Sequence, residues 1–118
     1  MKYTESQTFE RRRHPRIALE TEVGLRSINK NSLIFGWIQD ISGGGFKVRV
    51  DIPSAILKLF SLYVGDKVLF ETYRKYPNLK GRGDIRWISN EENKAGIKFD
   101  ELDDKSKRHL EVLLTAAS

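Results

Sequence analysis

Ile17-Ala18-Leu19-Glu20-Thr21-Glu22-Val23-Gly24-Leu25-Arg26 sets Ile17, Leu19, Thr21, Val23 and Leu25 on one face and Glu20, Glu22 and Arg26 on the other. A period of two over that length is a half-buried β-strand. Asn29-Lys30-Asn31 is turn chemistry, and the pattern resumes from Leu33 to Ile41, with Phe35, Trp37 and Ile41 expected to face inward. Beyond Gly43-Gly44-Gly45, Phe46, Val48 and Val50 alternate with Lys47, Arg49 and Asp51. Lys67 to Tyr73, with Val68 and Phe70 on one face, Leu79 to Ile88, and Ala95 to Phe99 read as three further strands. Six short strands at regular spacing, divided by turn signals, predict a mostly β fold: a closed or nearly closed antiparallel barrel.

Two helices interrupt or follow that pattern. Pro53 can open a short one, with Ile56, Leu57 and Phe60 on its apolar side. Asp103 or Asp104 can cap a terminal helix from about Lys105 to Ala116, whose Leu110, Leu113, Leu114 and Ala117 form an apolar stripe over one barrel opening. Both this helix and the segment Ile56 to Tyr63 are apolar enough to form interfaces; core packing is the expected use of each.

One domain fits in 118 residues, and the 39% hydrophobic content is enough to give it a core. Met1 to Phe9 is polar and aperiodic and reads as a mobile arm, which leaves residues 10–117 as the folded domain. No apolar run approaches the roughly 18 residues of a membrane span, and the N-terminus lacks the apolar stretch of a signal peptide. There is no cysteine, hence no disulfide or thiolate chemistry. These features lead to the expectation of a cytoplasmic protein.

The net charge of +5, from 21 basic and 16 acidic residues, is modest, and its placement says more than its size. Arg11, Arg12, Arg13 and Arg16 lie in Glu10-Arg11-Arg12-Arg13-His14-Pro15-Arg16, just before the first strand. Such a field attracts phosphate, whether of a nucleotide, a nucleic acid or a lipid. Arginine also forks onto guanine O6 and N7 and stacks on bases. The second patch is Asp40-Ile41-Ser42-Gly43-Gly44-Gly45. A tight turn accounts for glycines through positive φ, but it does not require both Asp40 and Ser42. A carboxylate there can accept from the N1 and N2 donors of guanine, Ser42 can bond a phosphate or a base edge, and glycine N–H groups can face an anion. Together the patches suggest a site for a guanine-containing anion.

They also resemble, residue for residue, the paired motifs of the PilZ domain family: Arg-x-x-x-Arg at Arg12 and Arg16, and Asp-x-Ser-x-x-Gly at Asp40, Ser42 and Gly45. Gly81 to Ile88 with Trp87, and Ala95-Gly96-Ile97-Lys98-Phe99 before an acidic cap and helix, are similar to the end of such a domain. The resemblance implies a six-stranded barrel with a C-terminal helix that binds cyclic di-GMP and passes the signal to a downstream effector protein. It further implies that Arg12 and Arg16, assisted by Arg11 or Arg13, hold phosphates and guanine faces. Asp40 and Ser42 then read a guanine edge, and Gly45, with Gly43 and Gly44, keeps the backbone close. Arg11, just before the motif, suits the phosphate load of an intercalated ligand pair. Trp87 is either a stacking surface for the ligand or a core residue, the commoner use of a strand tryptophan.

Catalysis is not expected. His14 and His109 are the only histidines, nothing has metal-ligand spacing, and no nucleophile–base pair, carboxylate pair or phosphate loop is present. No cofactor is expected beyond the ligand. Two rivals to the receptor reading are a nucleic-acid-binding barrel, in which Asp40 would repel the backbone, and an adaptor that keeps the fold for protein contacts without a ligand.

Overall fold

The computed structural model describes residues 16–73 and 78–117. The expected arm Met1–Phe9, the arginines Arg11, Arg12 and Arg13, and Tyr76-Pro77 lie outside the described residues. Six strands follow the alternating segments: β1 Ile17–Ser27, β2 Leu33–Ile41, β3 Gly45–Arg49, β4 Lys67–Thr72, β5 Lys80–Ser89 and β6 Lys94–Leu102. They close into an antiparallel barrel in the order β1-β2-β3-β6-β5-β4, with β4 returning to pair with β1. Helix α1, Pro53–Phe60, lies between β3 and β4, and α2, Asp104–Ala117, follows β6.

Closure removes the free edges that an open sheet would expose. The interior is filled by Val23, Leu25, Ile34, Ile38, Ile41, Val48, Val68 and Ile85, all fully buried. Phe46, Phe70 and Phe99 form an aromatic cluster there, with Phe46 meeting Phe70 edge-on at 5.1 Å between centroids. Asn31 and Asn93 take positive φ at the β1–β2 and β5–β6 turns, where asparagine tolerates the left-handed region.

The helices sit at opposite ends. Helix α1 buries Ala55 and Leu59 and is tied to the start of β2 by Lys58 Nζ, which donates to the Leu33 carbonyl at 3.4 Å. Helix α2 starts where Asp103 Oδ1 accepts from Ser106 N at 2.8 Å, an N-cap bond. Ser106 Oγ in turn accepts from Lys80 N at 2.8 Å, and Leu110 buries against the core with Leu113 and Leu114 beside it.

Three expectations need correction. On β2 the inward residues are Ile34, Gly36 and Ile38, whereas Phe35 is exposed and Trp37 half-buried; only Ile41 faces inward as expected. On α1 Ala55 and Leu59 are buried and Ile56 packs half-buried against the core as expected, whereas Leu57 and Phe60 point to solvent. In an eight-residue helix with five apolar side chains from Ala55 to Phe60, the apolar residues spread beyond one face, and the pattern alone does not single out the inner ones. Finally, none of Gly43, Gly44 and Gly45 has positive φ; Gly65 at +96° is the one described glycine that does. Gly45 is required for a different reason. A Cβ on it would overlap the Ile97 carbonyl of β6, so glycine permits the β3–β6 approach.

Candidate functional site

The β2–β3 turn is held by its own hydrogen bonds. Ser42 N donates to the Gly45 carbonyl at 2.8 Å, Gly44 N donates to Ser42 Oγ at 3.2 Å, and Phe99 N donates to the Gly44 carbonyl at 2.8 Å. Ser42 is buried, so its hydroxyl is a structural part of the turn as well as a candidate ligand group. Arg16, immediately before β1, reaches across to β2 and places Nη1 2.6 Å from Asp40 Oδ1. Lys47 of β3 approaches the other oxygen, Oδ2, at 3.3 Å.

Asp40 owes its outward orientation to a β-bulge. Ile38 pairs with Val48 and Asp40 with Lys47, so Gln39 is an extra residue on β2. Ile34 and Ile38 face inward, and strict alternation would send Asp40 inward with them. The bulge reverses the phase and lets Ile41 fill the core while Asp40 faces out. On β5 Ile85 pairs with Ile97 and Trp87 with Gly96, so Arg86 is likewise the extra residue, and Trp87 turns outward. The Trp87 ring covers Gly96, where any Cβ would overlap its Nε1.

The cross-strand pairs Asp40↔Lys47, Lys47↔Gly96 and Gly96↔Trp87 form one row across β2, β3, β6 and β5. Three inter-strand steps of about 4.8 Å span about 14 Å. Over this row lies an open cavity of about 610 Å³, lined by Arg16, Asp40, Ser42, Gly44, Gly45, Lys47, Arg86, Trp87 and Lys98 among others. Four of these side chains are cationic and one is a carboxylate, so the basin favours anions. Its chemistry comprises charge-assisted donors for phosphate, a carboxylate acceptor and an exposed indole face.

Thus Arg16, Asp40, Ser42, Gly44, Gly45 and Trp87 converge. Gly43 does not join them, lining instead a groove beside α2 with Leu110 and Leu114. Trp87 is 41% exposed, so the core alternative for it is overturned. Lys47, Arg86 and Lys98 were missed by sequence reasoning. Lys47 alone carried a signal, as an outward strand position two residues after Gly45; the other two depend on β6 and β5 pairings. Among the described residues no group of His, Cys, Asp or Glu is placed to hold a metal. Nor is any described helix long and apolar enough to cross a membrane.

The closed six-stranded barrel thus carries on its wall a cation-rich basin beside the exposed Trp87 indole. Residues 10–116 match the family model for the PilZ domain, and the chain belongs to that family. PilZ domains are generally receptors for cyclic di-GMP that bind and regulate rather than catalyse. No curated protein matches the sequence at a significant level. Among solved structures, the chain is similar to the Bacillus subtilis inhibitor of motility, MotI/DgrA, with TM-score 0.64 and 11% identity; 99% of this chain is covered. It spans about half, 52%, of that longer protein. It is also similar to the PilZ domain of CeSA from a cellulose-synthesizing bacterium, with TM-score 0.63, 16% identity, and 87% and 97% of the two chains covered. At such identities the likeness is one of fold.

Proposed function

We propose that this protein is a bacterial, cytoplasmic receptor for cyclic di-GMP and that the basin over the Asp40–Trp87 row is its binding site. The observation that carries the reading is the 2.6 Å contact between Arg16 and Asp40. It joins, in one place, the only described arginine of the first motif with the carboxylate of the second. Another concavity, of about 420 Å³ against β1, β4 and β5, holds no residue of either motif.

Arg16 takes a phosphate or a guanine face, and Arg12, with Arg11 or Arg13 beside it, comes over the ligand from the segment preceding β1. Asp40 accepts from guanine N1 and N2, an edge no other common base presents with two donors. Lys47, Arg86 and Lys98 add cationic charge around the phosphates. Trp87 offers its exposed face to a base. Arg16 exchanges part of its bond to Asp40 for bonds to the ligand, so binding reorganises the start of β1. Drawing the segment before Arg16 onto the barrel then changes the surface offered to a downstream effector protein.

The test is isothermal titration with cyclic di-GMP, with GTP and cyclic di-AMP as controls. Saturable heat specific to cyclic di-GMP is expected, and the molar ratio separates a single ligand from an intercalated pair. Absence of heat at high protein concentration, with an unshifted melting temperature, would overturn the reading and leave an adaptor that keeps the fold without the ligand.

A further inference from the structure

Between Ile52 and Val64, five large apolar side chains stand in solvent: Ile52, Leu57, Phe60, Tyr63 and Val64, with Leu57, Tyr63 and Val64 each about two-thirds exposed or more, at 72%, 69% and 65%. The opposite side of α1 is already used, since Ala55 and Leu59 are buried. A helix apolar on both sides is ordinarily covered on both, and a contiguous exposed apolar surface marks a contact.

Some cations of the barrel wall are held in ion pairs. Lys67 pairs with Asp84 at 2.6 Å, Arg82 with Asp100 at 2.9 Å and Lys47 with Asp40 at 3.3 Å. By contrast, Lys30 Nζ bonds the Ser61 carbonyl and lies 4.4 Å from the Tyr63 ring centroid, while Lys58 bonds the Leu33 carbonyl. Among the described residues neither amine has a carboxylate partner. The acids that flank the segment are engaged, Asp51 by Arg49 and Asp66 by the Tyr63 N–H.

We propose that the α1 end of the barrel docks on an anionic lipid surface, with Leu57, Phe60, Tyr63 and Val64 entering the headgroup boundary and Lys30 and Lys58 resting on lipid phosphates. An apolar face bordered by lysines, with a tyrosine whose hydroxyl can stay wet, is the chemistry of interfacial attachment. A second copy of the chain is a poorer occupant, because a two-fold contact would bring both lysine borders together. The nucleotide basin lies at the other end of β2, at Asp40 rather than Leu33, so docking leaves it open. Attachment therefore does not depend on ligand.

Co-sedimentation of the full chain with large unilamellar vesicles tests this, comparing phosphatidylglycerol–phosphatidylcholine mixtures with pure phosphatidylcholine. Selective binding to the anionic vesicles is expected. Losing two lysines, Lys30→Gln with Lys58→Gln, should weaken it about tenfold or more, at roughly a kcal/mol per lysine near the surface. Leu57→Ser with Tyr63→Ser should weaken it as much without lowering the melting temperature, since both side chains are exposed. Lys105→Gln with Lys107→Gln on α2 removes the same charge and should change binding less than about twofold. Equal loss in the α2 control would reduce the effect to diffuse charge and overturn the proposal. So would indifference to the Leu57/Tyr63 variant, absence of binding, or a patch-dependent dimer in sedimentation velocity without lipid binding.

Discussion

Asp40 and Trp87 stand at the two ends of one cross-strand row, and each is turned out of the barrel by a bulge residue immediately before it, Gln39 and Arg86. Without the bulges both would share the parity of buried neighbours, Ile38 and Ile85. A carboxylate forced inward among those aliphatic residues would be desolvated without a partner, at a cost of several kcal/mol. The two irregularities let a chain that alternates for its core still present an acid and an indole on the same outer wall.

Gly96 and Gly45 should respond oppositely to alanine. At Gly96 the obstacle is the Trp87 ring, a partly exposed side chain free to swing away. Gly96→Ala should leave the urea midpoint nearly unchanged, shift the tryptophan fluorescence and weaken cyclic di-GMP binding about tenfold, the scale of one lost base–aromatic stack. At Gly45 the obstacle is the backbone of Ile97 and Lys98, which cannot move without opening β3 from β6. Gly45→Ala should cost about 1–3 kcal/mol of stability, as overpacking does. Equal effects at the two positions would contradict this division.

The strands were legible because their periodicity is long and nearly regular; the face of β2 was not. Ile41 belongs to the core, and counting back by twos from it puts Trp37 and Phe35 inside. The bulge at Gln39 breaks that count, and nothing local marks it. The same limit hid Arg86, itself the extra residue of the second bulge, and Lys98, which reaches the site through its pairing with Gly45. Asp40, Ser42 and Gly45 were legible because they share one turn. Gly45 was read as a turn glycine that keeps the backbone close to a ligand, although its need arises from a strand some fifty residues away in the sequence, which no local reading exposes.

Asp103 should make α2 acid-sensitive. Hydrogen bonds from the Ser106 side chain and its backbone N–H hold its carboxyl below the ordinary value of 3.8. A carboxyl with a depressed folded pKa contributes stability that is present above the unfolded value and lost as pH falls through the folded one. Asp103→Ala should cost about 1 kcal/mol at neutral pH, typical for a lost N-cap. Asp103→Asn keeps an acceptor and should cost less while flattening the melting-temperature profile below about pH 4. A wild-type profile retained in the Asn variant would assign the acid loss to other carboxylates.

Gln39 carries a second consequence of the bulge. Its Oε1 is buried without a hydrogen-bond partner among the described residues. Removing a buried unsatisfied acceptor while keeping the side-chain shape should help, so Gln39→Met is expected to raise stability by up to about 1 kcal/mol. Chemical denaturation checks it, and a loss of stability would show that the amide is satisfied in solution.

Asp40→Ala should separate stability from binding. Its partners are exposed or half-exposed, Arg16 at 61% and Lys47 at 34%, and such pairs contribute only about 0–1 kcal/mol to folding. The melting temperature should therefore move little. Binding should suffer far more, because two donors of a guanine edge lose a charged acceptor, worth about 1.5–3 kcal/mol or roughly 10- to 150-fold in affinity. Removing the carboxylate also leaves Arg16, Lys47, Arg86 and Lys98 unopposed, so simple polyanions should bind the variant as well as or better than the wild type. Titration with cyclic di-GMP and, separately, with a single-stranded oligonucleotide reads both effects. Parallel loss for the two ligands would mean that Asp40 acts by holding Arg16 in place; opposite changes would mean that it reads the base.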